Sequence, residues 1–379
     1  TVQDIFHRFY PAYLDQYSPS PVQAKVAHNI MNCKTGAYGA NVCVCEDCGF
    51  VQIHYNSCRN RCCPMCQAVP KEMWMDARRE DVLDAPYFHL VFTVPDILNP
   101  VIYSNQRLLY DALYHAASST ISELTADPKH LGAKVGYICI LHTWGSEMNF
   151  HPHIHTILLG GGLASNNQWK DNGENFFLPI RVISKMFRGK YLEELKRLWE
   201  EDKLVFHGTA EKFRNHYTFK ELLDSCYGMD WIPHCKKTFN GAQTVIKYLG
   251  KYTHRIAVSN HRIVCMDDDT VTFLVKDYRN EGQWKELTIS GVEFVRRFLM
   301  HVPPRRFVRI RHYGLLCSRT KSQKLTLCRN LLGCKKYLSK LRDMEMPEIL
   351  EHLYGIKVCV CKACGGHLGK PQMKMPLRC

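Results

Sequence analysis

Long apolar runs are missing from this chain. No stretch approaches the roughly eighteen consecutive apolar residues of a membrane span, and the first residues, Thr1 to Arg8, lack the apolar core of a signal peptide. The expectation is a soluble cytoplasmic protein with no membrane partner. Acidic residues are scarce beside basic ones, 36 Asp and Glu against 50 Lys and Arg, which leaves a formal net charge of +14. A surplus of that size suits a polyanionic partner, nucleic acid first among them. Internal repeats are absent beyond a set of cysteine knuckles. Without an export signal, the 19 cysteines do not read as a secreted disulfide framework. The 379 residues, 46% of them hydrophobic, suffice for two or three domains with buried cores.

What the chain does have is cysteines in metal-ligand spacing. Cys45/Cys48 and Cys63/Cys66 are two CxxC pairs separated by fourteen residues, a pattern that fits one tetrahedral thiolate site for Zn2+. Cys33, Cys58 and Cys62, with His28 or His54, could complete a second site, unless one of them is an inert buried thiol. Near the end, Cys361 and Cys364 form another knuckle, with Cys379 or upstream cysteines such as Cys334 as candidates to close it, so one to three Zn2+ sites are expected. Arg59, Arg61, Lys34 and Lys71 give the first knuckles a basic rim suited to phosphate contacts. The alternative is a purely structural or protein-docking zinc module.

The second signal is a set of alternating imidazoles, His151, His153 and His155, running into an apolar segment that ends at Gly160. On a β-strand these three side chains share one face, and neutral imidazole is the commonest protein metal ligand. A half-buried strand with surface histidines is the plainer alternative. Around them the sequence predicts helices over residues 1–30, broken by the prolines at 19 and 21, and over 70–83 and 104–125. Strands are predicted over 86–95 and 135–144. That order suits an α+β fold, an antiparallel sheet with helices on one face. A basic amphipathic helix from Val182 to Leu198 falls within an apparent insertion at 163–230, and its positive face suits either solvent or a DNA groove. Residues 256–290 read as a β-meander and 292–299 as a helix. The domain boundaries expected are 1–80, helical and zinc-binding; 81–290, the sheet domain with its insertion; and 291–379, a basic region with a Cys-rich tail.

Two further segments carry candidate chemistry. Asn240 and Gln243 have the spacing of an N-cap pair, and the helix they would start places Tyr248 and Tyr252 at i and i+4 on one face, about 5–6 Å apart. Such a pair is ordinarily packing. Here Lys251 and a nearby metal could help ionise or position a phenol. Arg305, Arg306, Arg309 and Arg311 interleave with Phe307 and Tyr313, a pattern in which guanidinium groups grip phosphates while an aromatic ring stacks a base. The competing reading is a solvated edge strand.

Taken together, the histidine-hydrophobe-histidine strand and the later Y-x-x-K segment resemble the HUH endonuclease superfamily. The Cys-rich start, YNSCRNR-CPMCQ, LHTWG, HPHIH, FFLPIRVISKMFRGKYL, YLGKYTHRIAVSNHRI and RRFLMHVPPRRFVRIRHYG are very similar to rolling-circle transposases of the insertion-sequence-91 type, over nearly the whole chain. One departure is Cys62, where the family often has His. The resemblance implies that His153 and His155 bind Mg2+ or Mn2+, with a third ligand open among His151, Gln243, Glu147, His142 and His89. It implies that Tyr248 attacks the scissile phosphate to give a 5′-phosphotyrosine and a free 3′-OH, and that Tyr252 serves a second strand. The expected partners are single-stranded DNA at mobile-element ends and target DNA, in a bacterial cytoplasm and associated with the nucleoid through DNA. A plasmid replication initiator or relaxase with the same chemistry, a metal-dependent hydrolase, and a non-catalytic zinc-ribbon regulator are the alternatives. The oligomeric state has no signature in the sequence.

Overall fold

The computed structural model describes residues 1–171, 178–231, 234–239, 244–245, 250, 256–277 and 282–374; for residues 234–239 and 374 it describes the backbone only. Among the described residues no helix is long and apolar enough to cross a membrane.

The chain opens with α1 (Val2–Gln16) and α2 (Pro21–Met31). Each starts with a capping box, Thr1 with Asp4 and Ser20 with Gln23, and Pro21 stands where a first-turn proline loses no hydrogen bond. A hairpin follows, β1 (Ala40–Val44) and β2 (Val51–Tyr55), and then α3 (Ala68–Arg79).

The centre of the molecule is an antiparallel sheet. Its strands are β3 (Tyr87–Thr93), β4 (Lys134–Trp144), β5 (Phe150–Leu163), the short β6 (Trp169–Asp171), β7 (His234–Phe239) and, from late in the chain, β11 (Ile310–Gly314). The order is β11-β4-β5-β3-β7, with β6 paired to the far end of β5. The glycines at 160–162 do not end β5 as the sequence suggests, because Gly161 leaves room for the Trp169 ring of β6 and the strand continues to Leu163.

Strand periodicity divides the sheet into two apolar faces, and both are covered. Phe88, Leu90 and Phe92, Val135, Tyr137, Cys139 and Leu141, and Ile154 and Leu158 share a core with α4 (Asn99–Ser104), α5 (Gln106–Ala126) and α6 (Ile180–Glu200). On the reverse face Ile138, Ile140, Ile157 and Leu159 pack with Met75 of α3 and with Leu325 and Cys328 of α9 (Lys321–Leu332). The expectation of helices on one face is therefore corrected. A sheet apolar on both sides must bury both, and helices distant in sequence supply the second cover.

Residues 178–230 lie off the sheet, and the chain returns to it through β7, which pairs with β3. They are not an appendage: Ile183, Phe187, Tyr191 and Leu195 of α6, and Phe219, Leu222 and Leu223 of α7 (His216–Gly228), belong to the main core. The basic face of α6 is largely neutralised. Arg197 pairs with Glu194 and Glu201, both at 2.6 Å, Lys190 with Glu123 at 2.6 Å, and Lys196 with Glu200 at 3.6 Å.

A second core joins both halves of the chain. The meander β8 (Ile263–Met266), β9 (Thr270–Asp277) and β10 (Gln283–Ser290) and the helix α8 (Gly291–Met300) pack on α1 and α2, with Phe273, Phe294 and Phe298 against Ile5, Phe6 and Phe9. Cys33, Cys62 and Cys63 are buried in the same core. The first eighty residues thus share their interior with residues 256–302.

Phe187 is fully buried, 4.9 Å from Phe92 and 5.4 Å from Trp231 between ring centroids. Phe187→Ala should destabilise the protein by about 3–5 kcal/mol in equilibrium denaturation, as for other buried aromatic truncations. A loss below about 1 kcal/mol would mean that α6 is a detachable insertion.

Candidate active site

The register of the sheet builds a cluster of imidazoles. His153 and His155 project from β5 on the reverse face, and His142 of β4 lies directly opposite His153 in the ladder, with Ile140 opposite His155. All three are buried, at 4%, 8% and 9% exposure for His142, His153 and His155. Their ligand-capable nitrogens lie within 4.8 Å of one another. The ring centroids are 5.6 Å apart for His142 and His153, 4.6 Å for His142 and His155, and 4.8 Å for His153 and His155.

Hydrogen bonding fixes how these rings present their lone pairs. His153 Nδ1 is 2.6 Å from the backbone carbonyl of His151, which can only accept, so Nδ1 carries the proton and Nε2 is bare. That bare Nε2 is 3.1 Å from Nε2 of His155, whose Nδ1 is 2.9 Å from Nε2 of His89 on β3. Two nitrogens of one metal site stand roughly 3.0–3.4 Å apart, so the spacing fits a shared cation. With a cation at the junction, His155 would carry its proton on Nδ1 and donate to His89, the outer hydrogen bond that metal-ligating histidines ordinarily make. Burial pushes His153 down to about 3, reinforced by His151 and His89, and burial with the neighbouring imidazoles takes His155 well below the usual histidine range. Both are neutral bases near pH 7, as metal ligation requires.

His151 shares the strand face but is set outside the trio. It is half-buried, its Nδ1 is 3.3 Å from Asp96 Oδ1, and its contribution to the cluster is the carbonyl that orients His153. The ring that joins His153 and His155 comes from β4. The alternation Ile138, Ile140, His142 already put His142 on an inward face, but which strands pair is not written in either segment.

Tyr248, Lys251 and Tyr252, with Asn240 and Gln243, lie outside the described residues. The described residues around them contact the same side of the sheet. Val245 is buried with Ile138, Ile157 and Leu159, and a Cβ built on Gly250 would meet Sδ of Met75 and come within 3.3 Å of Lys71 Cε. Only glycine fits that approach to α3 without a shift.

The thiols fall into two groups of four, Cys33/Cys58/Cys63/Cys66 and Cys45/Cys48/Cys361/Cys364. The pairing of Cys45/Cys48 with Cys63/Cys66 is corrected. Cys45 and Cys48 form the tip of the β1–β2 hairpin, whereas Cys58, Cys63 and Cys66 follow its base, and five residues of strand separate tip from base by about 17 Å. At the base, Cys66 Sγ is 3.2 Å from Cys33 Sγ and 3.5 Å from Cys58 Sγ. Cys62 belongs to neither group; burial pushes its thiol up to about 11, so it is a core thiol. His28 is also outside, exposed on α2 beside Asn32 Nδ2 at 3.3 Å, and His54 contacts Gln52 at 2.7 Å.

The arginine-aromatic segment divides as well. Arg61 donates to the carbonyls of Phe307 at 2.6 Å and Pro304 at 3.3 Å, and so ties the thiol base to this loop. Arg311 pairs with Asp111 and lies 4.0 Å from the Tyr114 ring centre, Arg309 lies 5.6 Å from that of Trp144, and Tyr313 stacks on Tyr137 at 5.2 Å. Phe307 is buried against Tyr110 and Tyr114 and is corrected from base-stacking candidate to core residue. Arg59, Arg305 and Arg306 are exposed.

Comparison with known proteins decides the family. Residues 136–324 match a family described as putative transposase, and residues 5–94 match the transposase zinc-binding domain. The chain is 40% identical over 367 residues to putative transposase y4qJ of Sinorhizobium fredii (strain NBRC 101917 / NGR234), covering 96% of this chain and 92% of that protein. It is 30% identical over 309 residues to the transposase for insertion sequence element IS801 of Pseudomonas savastanoi pv. phaseolicola, covering 80% and 72%. The chain belongs to the transposases of the insertion-sequence-91 type. Among solved structures, the transposase is similar to the conjugative relaxase TrwC in complex with OriT DNA, in a metal-bound structure. That match has a TM-score of 0.25 and 14% identity over 43% of this chain and 69% of the relaxase, a likeness too distant to argue from. The zinc-binding match and the four thiols at the hairpin base agree that the transposase carries a zinc-binding domain at its start.

His301 secures the turn between β4 and β5: Nε2 donates to the Met148 carbonyl at 3.0 Å and Nδ1 is 3.1 Å from Thr143 Oγ1. Burial pushes it down to about 4. Its folded value lies below the ordinary unfolded value of about 6.5, so its stabilising contribution is complete above pH ~6.5 and is lost as the pH falls toward 4. The stability advantage of the wild-type transposase over His301→Gln, from urea midpoints, should therefore shrink between pH 6.5 and 4.5. A constant gap would contradict a neutral buried His301.

Proposed function

We propose that this transposase nicks and rejoins single-stranded DNA at mobile-element ends by HUH endonuclease chemistry, with a tyrosine nucleophile and a divalent cation, Mg2+ or Mn2+. The observation that carries this reading is the convergence of the imidazoles of His142, His153 and His155 on the sheet face where Val245 packs, three residues before Tyr248. His142, His153 and His155 are the ligands. His89 and the His151 carbonyl orient two of them. A cation held there supplies Lewis-acid polarisation of the scissile phosphate.

In the first step the Tyr248 phenolate oxygen attacks phosphorus, the bond to the 3′ oxygen breaks, and the products are a 5′-phosphotyrosine and a free 3′-OH. Lys251, in Y-x-x-K spacing with Tyr248, favours the phenolate. Tyr252 provides a second nucleophile for strand exchange. A 3′-OH attacking either phosphotyrosine reseals the DNA and returns the phenol. The exposed Arg59, Arg305 and Arg306 are the phosphate contacts that remain from the sequence reading, with target DNA as the second substrate. Membership in the transposase family favours element ends over a plasmid origin as the substrate.

Incubation with labelled single-stranded DNA from candidate element ends and Mn2+ should yield a protein–DNA adduct that survives denaturation. The adduct should be lost in the Tyr248→Phe, Tyr252→Phe double variant. Cleavage without an adduct would instead indicate a hydrolase that activates water. In calorimetric titration, His142→Ala should weaken Mn2+ binding by about tenfold or more, and His151→Ala should weaken it less. The reverse order would move the third ligand from β4 to His151.

A further inference from the structure

The four thiols that join the two ends of the chain have no role in the reaction above. Cys45 and Cys48 lie at the tip of the β1–β2 hairpin, and Cys361 and Cys364 lie more than three hundred residues later, yet Cys45 Sγ is 3.6 Å from Cys364 Sγ and Cys48 Sγ is 3.8 Å from Cys361 Sγ. A disulfide would bring sulfurs to about 2.05 Å, whereas four thiolates on one Zn2+ at about 2.3 Å stand about 3.8 Å apart. The two knuckles are copies of one turn. In each, the residue after the second cysteine is a glycine with positive φ, Gly49 at 72° and Gly365 at 78°, and its N–H donates to the carbonyl of the first cysteine at 3.0 Å. In each, the first cysteine's own N–H closes the loop, Cys45 onto Phe50 at 2.9 Å and Cys361 onto Gly366 at 2.8 Å. N–H groups of Ala363 and Gly366 point at the sulfurs of Cys361 and Cys364, both at 3.4 Å, which favours the thiolate forms.

The surroundings lock the two knuckles together. Glu46 N donates to the His367 carbonyl at 3.1 Å, Gly369 N to the Val44 carbonyl at 2.9 Å, and His367 N to Asp47 Oδ2 at 3.2 Å. A Cβ built on Gly366 would come 2.8 Å from Asp47 Cγ, so a larger residue would have to displace the Asp47 side chain. β12 (Gln372–Lys374) then adds to β1 as a third strand. Among the described residues the apolar interior here consists of Cys43, Cys45, Cys361 and Leu368. A core that small does not hold a fold without a metal or a covalent link.

We propose that Cys45, Cys48, Cys361 and Cys364 form a second structural Zn2+ site, a clamp that makes the chain's C-terminal knuckle an integral part of its N-terminal zinc module. Binding one Zn2+ releases the thiol protons to solvent and involves no redox change. The residues matched by the zinc-binding family end at 94 and so contain only half of this site's ligands. A second attachment supports the same arrangement: buried Asp76 of α3 accepts from Tyr337 at 2.7 Å, Ser339 Oγ at 2.6 Å and Leu341 N at 3.0 Å.

The test is zinc content together with thiol protection in the full chain. Elemental analysis should find about two Zn2+ per wild-type chain, one for each four-thiol group. About one should remain in Cys361→Ser/Cys364→Ser, in Cys45→Ser/Cys48→Ser and in the quadruple variant alike. Zinc content unchanged in the Cys361→Ser/Cys364→Ser variant, or reduced to zero in the quadruple variant, would overturn the proposal. Alkylation of the zinc-loaded wild type, read by mass spectrometry, does not depend on the variants folding. Cys48 and Cys364 are exposed and would react at once as free thiols. They should be protected, and all four thiols should become reactive together as a chelator removes zinc. Rapid labelling of Cys361 and Cys364 while Cys45 and Cys48 stay protected would show that the clamp does not exist.

Discussion

The register between β4 and β5 governs the imidazole cluster. In an antiparallel ladder a slip of one residue turns every side chain of a strand to the other face. As it stands, His142 faces His153 and Ile140 faces His155, so three imidazoles meet on one side while Ile154 and Leu158 enter the main core on the other. The apolar alternation on both faces holds this register. A slip would carry Ile154 and Leu158 to the reverse face and put the histidines into the core formed with α5 and α6. The core and the site are therefore specified by the same pairing.

Burial then sets the chemistry. Imidazoles at the sheet surface would be partly protonated near neutral pH, whereas here desolvation keeps His153 and His155 neutral. Hydrogen bonds to the His151 carbonyl and to His89 orient these bases at one point. Val245 is buried in the core on the same sheet face, and Gly250 lies against Met75 of α3, which covers that face. Nothing local to His153 or Val245 brings the two onto one sheet face; the return of the chain through β7 does so.

Much of this was legible in the residues. The alternation of His151, His153 and His155 indicated a strand with the imidazoles on one face, and the prolines and polar caps near residues 18–21 marked the break between α1 and α2. The meander read over 256–290 is there, with its first strand starting at Ile263. What failed were inferences about partners far along the chain. Spacing suggested that Cys45/Cys48 and Cys63/Cys66 share a metal, yet the rigid length of the hairpin separates them and Cys361/Cys364 arrive from the far end. His151 looked equivalent to its neighbours by period, but its ring sits with Asp96 while His142 joins the trio from β4. The acids that pair with basic residues of α6 lie one turn away or on α5, and the charge pattern of α6 alone did not show the partner on α5. Period identifies a face, but only tertiary pairing decides which faces meet.

The most direct test of the account is whether a metal ion touches the phosphate that becomes linked to tyrosine. Single-stranded substrates carrying sulfur in place of one non-bridging oxygen at the scissile phosphate, each diastereomer tested separately, report on that contact. With one of the two, adduct formation should be strongly impaired in Mg2+ and restored in Mn2+, which accepts sulfur more readily. Equal adduct yields in the two ions for both diastereomers would contradict the account.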